Sequence, residues 1–158
     1  MNPARRACRR LIFLALLALS GSVCAAVEVP AAQMGAATVS AREASALLAQ
    51  GARAIDVRPQ HDFLDGHLPG ALHINYRERS LQRADFDPTR DGVTAFLDRL
   101  HRKVPDPATP LVIYCNGIHC WKSFKALRAA NDHGYRKLYW LRGGFAEWLR
   151  EGLPVSTE

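Results

Sequence analysis

The chain has 158 residues, 48% of them hydrophobic and 23% charged, which suits one globular domain. Its net charge of +6 does not argue for nucleic-acid binding. The first 26 residues hold four of the 21 basic residues and none of the 15 acidic ones, so the remainder carries 17 against 15, with no Lys/Arg-rich stripe.

Residues 1–26 read as a secretory signal peptide. Arg5, Arg6, Arg9 and Arg10 form a basic head, "LIFLALLAL" at 11–19 a short apolar core, and "SGSVCAA" a run of small residues with Ala25 or Ala26 just before the cut. The apolar run is short for a bilayer, so no stable membrane insertion is expected after cleavage and the location is periplasmic or secreted; an uncleaved anchor is the alternative. Cys8 and Cys24 leave with this segment, so Cys115 and Cys120 remain, in an oxidising compartment. A structural zinc site needs about four ligands. No second Cys or His pair is suitably spaced, so no metal is expected. A disulfide, a redox pair, or one nucleophile with a companion all stay open for these two cysteines.

Residues 27–37 read as a flexible leader and 38–158 as the folded domain. "SARE" at 40–43 is a capping box, and the helix it opens stops at Gly51. "ARAIDV" at 52–57 reads as a buried strand ended by Pro59. "QHDFLDGHLPGALHIN" at 60–75 gives a short helix, a turn at "LPG" and a brief strand. Residues 77–90, with four arginines, read as a surface excursion. Apolar residues at 93, 96, 97, 100 and 104 predict a helix, "LVIYC" at 111–115 a central strand, "WKSFKALRAANDHG" at 121–134 a helix, "KLYWL" at 137–141 a strand, and "GGFAEWLREG" at 143–152 a glycine turn and a last helix. This alternation argues for an α/β fold with a mostly parallel central sheet and helices on both faces.

In such sheets ligands bind beyond the carboxyl ends of the strands, where "LVIYC" delivers Cys115. A loop from a strand end to a helix start gathers backbone N–H groups, and the helix dipole adds positive charge. Asn116 and Gly117 tolerate the tight turn, and Lys122 adds charge at the rim. A thiol there is expected to be a thiolate nucleophile held by loop amides. Cys120 reads either as an inert helix-start residue or as a resolving thiol for Cys115. Trp121 reads as packing, His119 as a solvated loop residue and Ser123 as a local hydrogen-bonding group.

These residues resemble the single-domain rhodanese sulfurtransferases, over roughly 38–155. The resemblance is carried by "AIDVRPQHDFLDGHLPGALHIN", by "LVIYC" and by "GYRKLYWLRGGFAEWLREGLPV". It implies a rhodanese-like fold and a persulfide on Cys115, loaded from a small sulfur-containing anion such as thiosulfate and passed to a thiol or cyanide, with no cofactor required. The loop Asn116, Gly117, Ile118, His119, Cys120, Trp121 places six residues before Lys122-Ser123, against about four in common rhodaneses, so a larger pocket is expected. The form Cys-Asn-Gly-x-x-Cys-Trp-Lys-Ser resembles a subset of exported relatives with a second loop cysteine. Some of these are associated with periplasmic quinoprotein oxidation, which implies an exported redox or quinoprotein partner. Asp56 and His67 fall in the matching motif and read as structural. Arg58 reads either as a group reaching the substrate pocket or as a scaffold ion pair, and Arg142, just before Gly143-Gly144, either as a contact for an anionic substrate at the rim or as a solvated side chain. Two other readings compete. Phosphatase or arsenate-reductase chemistry needs Cys-x5-Arg, but position 121 is Trp. The other reading is a dithiol redox or persulfide-carrier protein.

Overall fold

A computed structural model describes residues 27–33, 35–79, 87, 89 and 91–157. The expected signal peptide and most of the 77–90 excursion lie outside the described residues. Among those described, five strands and five helices run in the order β1 (Ala36–Val39), α1 (Ala41–Ala49), β2 (Arg53–Asp56), α2 (Gln60–Asp65), β3 (Leu72–His73), α3 (Val93–Lys103), β4 (Leu111–Tyr114), α4 (Trp121–Asp132), β5 (Leu138–Leu141) and α5 (Gly144–Arg150). The strands form one parallel sheet in the order β1-β5-β4-β2-β3.

Alternation along the strands divides the core in two. Ile55, Leu111, Ile113, Leu138 and Trp140 face one way and pack with Phe96 and Leu100 of α3 and Phe124, Ala126 and Leu127 of α4. Ala54, Val112, Tyr114 and Leu141 face the other way, against Ala41 and Ala44 of α1 and Trp148 of α5. β4 therefore reads as continuously apolar because both its faces are covered. The expected capping box is present: Ser40 Oγ accepts from the Glu43 N–H and the Glu43 carboxylate accepts from the Ser40 N–H.

The structure departs from two expectations. The sequence pattern places the segment before Ser40 in the leader and the approach to α1, but Ala36–Val39 is a strand paired with β5, in register from Ala36 opposite Leu138 to Val39 opposite Leu141. The leader is likewise packed. Val29 is buried at 2% exposure within the α3/α4 core, and its N–H donates to the Ile118 carbonyl in the loop after β4.

The register levels the strand ends. Asp56, Tyr114, Leu141 and Val39 lie across from one another. The segments after them, starting at Val57, Cys115, Arg142 and Ser40, therefore leave the sheet along one edge.

Candidate active site

Cys115 is the first residue past β4 and is 1% exposed. It forms a disulfide with Cys120, the N-cap of α4, across a Cα–Cα separation of 6.1 Å. Cys120 is half-buried and lines an open cleft of about 1000 Å³ along the strand-end edge. Cys115 does not line the cleft, but its sulfur is bonded to that of Cys120, a residue that does.

The loop between the cysteines is held by its carbonyls. Those of Cys115 and Asn116 accept from the Phe145 and Ala146 N–H groups at 2.8 and 3.0 Å. That of Gly117 accepts from the Cys120 N–H at 3.0 Å, and that of Ile118 from the Val29 N–H at 2.8 Å. The amides of Asn116, Gly117, Ile118 and His119 donate to no group among the described residues, and the N-terminus of α4 has no side-chain cap. With the carbonyls of 115–118 engaged and the amides of 116–119 not, the loop offers more free donors than acceptors, which makes it electropositive. The expected ring of amide donors around the sulfur is nevertheless not formed. No N–H donates to either sulfur among the described residues, since a disulfide sulfur carries no negative charge to attract one.

The Gly143-Gly144 turn makes this grip by α5 feasible. Gly144 has φ +60°, and a Cβ there would fall on the Cys115 carbonyl and within 2.7 Å of the Gly117 nitrogen and 2.8 Å of the Asn116 carbonyl carbon. Glycine is thus required both for the backbone angle and for the close approach.

The other candidates separate into cleft and scaffold. Asn116, Gly117, Ile118, His119, Trp121 and Lys122 line the cleft with Cys120. Asn116 Nδ2 donates to Asp62 at 3.1 Å. Trp121 is buried with its ring edge-on to Phe124, and its indole N–H has no partner among the described residues. Lys122 and Arg150 stand in the cleft wall without an ion pair among the described residues. Ser123 is buried behind the cleft, where its hydroxyl accepts from the Trp140 indole at 3.1 Å.

Arg58 is not at the pocket. It is 2% exposed, bound to both oxygens of Asp56 at 2.7–3.0 Å and to the Gly66 carbonyl at 2.5 Å, with its guanidinium 4.2 Å from the Phe145 ring centroid. Burial pulls its pKa down, and the hydrogen bonds and charge of Asp56 more than offset this, so the net direction is up. The partner that holds it lies two positions back on β2, which turns the pair into a scaffold clamp. Asp56 is accordingly fully buried. His67 stacks on Phe63 at 3.8 Å, its Nδ1 is 2.9 Å from the Phe63 carbonyl, and its backbone pairs with Ser156. Arg142 does line the cleft, but its guanidinium is committed to the leader: it binds the Pro30 and Val29 carbonyls at 2.9 and 2.7 Å and Glu28 at 3.2 Å.

Lys125 is a site residue that the sequence reading misses. It is fully buried on α4 and pairs with Glu78 at 2.6 Å and Asp91 at 3.3 Å, which fixes Glu78 in the cleft wall. A lysine one position after Phe124, on the apolar face of that helix, is the signal that could have found it. Among the described residues no group of three or more His, Cys, Asp or Glu is arranged to hold a metal ion, and no helix is long and apolar enough to cross a membrane.

A parallel α/β domain with a cysteine at a central strand end, an electropositive loop and a following helix is the framework of a persulfide-forming or phosphate-type thiol enzyme. Residues 40–151 match the family described as Rhodanese-like domain, and the chain belongs to that family. Thiosulfate sulfurtransferase GlpE of Actinobacillus pleuropneumoniae is 26% identical over 108 residues, covering 68% of this chain and 81% of that protein. The HTH-type transcriptional regulator Rv0324 of Mycobacterium tuberculosis is 32% identical over 102 residues, covering 65% of this chain but only 36% of the regulator. Among solved structures, the polysulfide-sulfur transferase homodimer of Wolinella succinogenes superposes with a TM-score of 0.56 at 23% identity, over 77% of this chain and 79% of that one.

Proposed function

We propose that the protein is an exported sulfurtransferase that carries sulfane sulfur on Cys115. The reduced Cys115 thiolate attacks the outer sulfur of a thiosulfate-type donor and sulfite departs, leaving a persulfide. A thiophilic acceptor, a thiol or cyanide, then takes the terminal sulfur and restores the thiolate. The observation that carries this reading is the loop at 115–118, whose four carbonyls accept hydrogen bonds while the amides of 116–119 donate to no group among the described residues, which leaves donors beside the strand end where an anionic sulfur would form. Lys122 and Arg150 in the cleft wall favour an anionic donor. Relatedness to a thiosulfate sulfurtransferase supports the reaction class, and the basic, apolar and small-residue order of residues 1–26 supports export to the periplasm or beyond. With cyanide in excess and the protein fully reduced, Cys115→Ser abolishes sulfur transfer. Turnover at the wild-type rate in that variant would end the proposal.

The disulfide favours a second reading, in which Cys115 and Cys120 exchange with the thiols of an exported redox or quinoprotein partner. Thiol counting on protein isolated without reductant tests it: two free thiols per chain would count against it.

A further inference from the structure

The two cysteines differ in a way that sulfur transfer alone does not use. Cys115 is 1% exposed, while Cys120 lines the cleft and is joined to it directly. The 6.1 Å Cα–Cα separation lies within the usual range for a disulfide. The turn closed by the Cys120 N–H on the Gly117 carbonyl, together with the grip of α5 on the preceding carbonyls, holds the loop that brings the second sulfur to the first.

Resting on the sulfurtransferase reading, we infer that Cys120 is a second catalytic residue, one that resolves the Cys115 persulfide and releases its sulfur as hydrosulfide. The Cys120 sulfur attacks Sγ of Cys115 and forms the Cys115–Cys120 bond. The bond between Cys115 Sγ and the sulfane sulfur breaks, and the sulfane sulfur leaves as HS⁻ with the proton of the Cys120 thiol. The sulfane sulfur gains two electrons, and each cysteine sulfur gives up one. The Cys115–Cys120 disulfide of the structure is the product of this step. A dithiol must then return the protein to its reduced form, and the burial difference sets the direction. The incoming thiolate reaches Cys120, forms a mixed disulfide with it and expels Cys115 as thiolate, ready for the next donor. A second thiol of the reductant clears the mixed disulfide. The partner implied is a protein dithiol that docks at the cleft, and the net reaction is reduction of sulfane sulfur to sulfide.

The test compares full-length wild type with Cys120→Ser and Cys120→Ala, all reduced, freed of reductant, and given thiosulfate without oxygen. Wild type is expected to release about one hydrosulfide per chain and lose the free thiols of Cys115 and Cys120. The two variants retain one added sulfur and release none until dithiothreitol is supplied. A wild type that keeps its persulfide as long as the variants do overturns the inference while leaving the sulfurtransferase reading intact. A failure of all three proteins to take up sulfur overturns both. Direction is read separately: oxidised wild type treated with a monothiol is expected to give a mixed disulfide mapped to Cys120, and a mixed disulfide mapped to Cys115 also overturns it.

Discussion

Replacing Gly144 by alanine tests how the loop is held. The residue sits at φ +60°, where a Cβ costs about 1–2 kcal/mol. The new methyl would also fall on the Cys115 carbonyl and within 2.7 Å of the Gly117 nitrogen, so the loop and α5 must separate. Separation weakens the Phe145 and Ala146 hydrogen bonds to the loop, each worth roughly 0.5–1.5 kcal/mol. Together these give a loss of about 2–5 kcal/mol, or a fall in Tm of roughly 6–25 °C for a domain of this size. Gly152→Ala is the internal control, because Gly152 has φ +65° with nothing within 4 Å of where the methyl would sit, and so carries the backbone cost alone. Thermal unfolding followed by circular dichroism measures both. Sulfur transfer, assayed well below the lowered Tm, should drop in Gly144→Ala and stay unchanged in Gly152→Ala. Equal Tm values for the two variants, with full activity in each, would refute the claim that α5 grips the loop through this glycine.

Arg58→Met leaves the Asp56 carboxylate buried and unpaired, so denaturant unfolding should show a loss of about 3–5 kcal/mol, largely recovered in the double variant with Asp56→Asn; transfer by the folded fraction should stay within about threefold of wild type, because Arg58 does not reach the cleft. Arg142→Ala frees the leader, so limited proteolysis should cut within residues 27–33 faster, with a stability loss of about 1 kcal/mol or less. Burial, and then the Asp56 carboxylate, push the Tyr114 hydroxyl far above its ordinary pKa. The unfolded chain releases that proton near pH 10 while the folded chain keeps it, so the folded state binds more protons there. Stability contributed below that pH should fall as pH rises from about 10, with a steeper slope in wild type than in Tyr114→Phe.

The sheet was legible because its central strands are short apolar runs covered on both sides, and because Gly51, Pro59 and the "PDPATP" break punctuate them. The position of Cys115 followed from β4 and α4 alone. What stayed hidden depends on partners distant in sequence or on geometry that patterns do not encode. "AATV" is too short and too exposed to signal a strand until β5 pairs with it. Arg58 and Arg142 look alike as cations near a site, but one is claimed by Asp56 and the other by the carbonyls of residues 29 and 30. Val29 shows no periodicity because it packs as a single residue. The closed Cys115–Cys120 bond required knowing how far apart the loop holds its two ends.

The central claim is that sulfur is loaded on the buried cysteine beneath the cleft. Intact mass and peptide mapping of reduced Cys120→Ser protein after incubation with thiosulfate test it most directly. Loading at this position predicts a gain of one sulfur atom, mapped to the peptide holding Cys115 and removed by cyanide. An unchanged mass, or added sulfur mapped elsewhere in the chain, would contradict it.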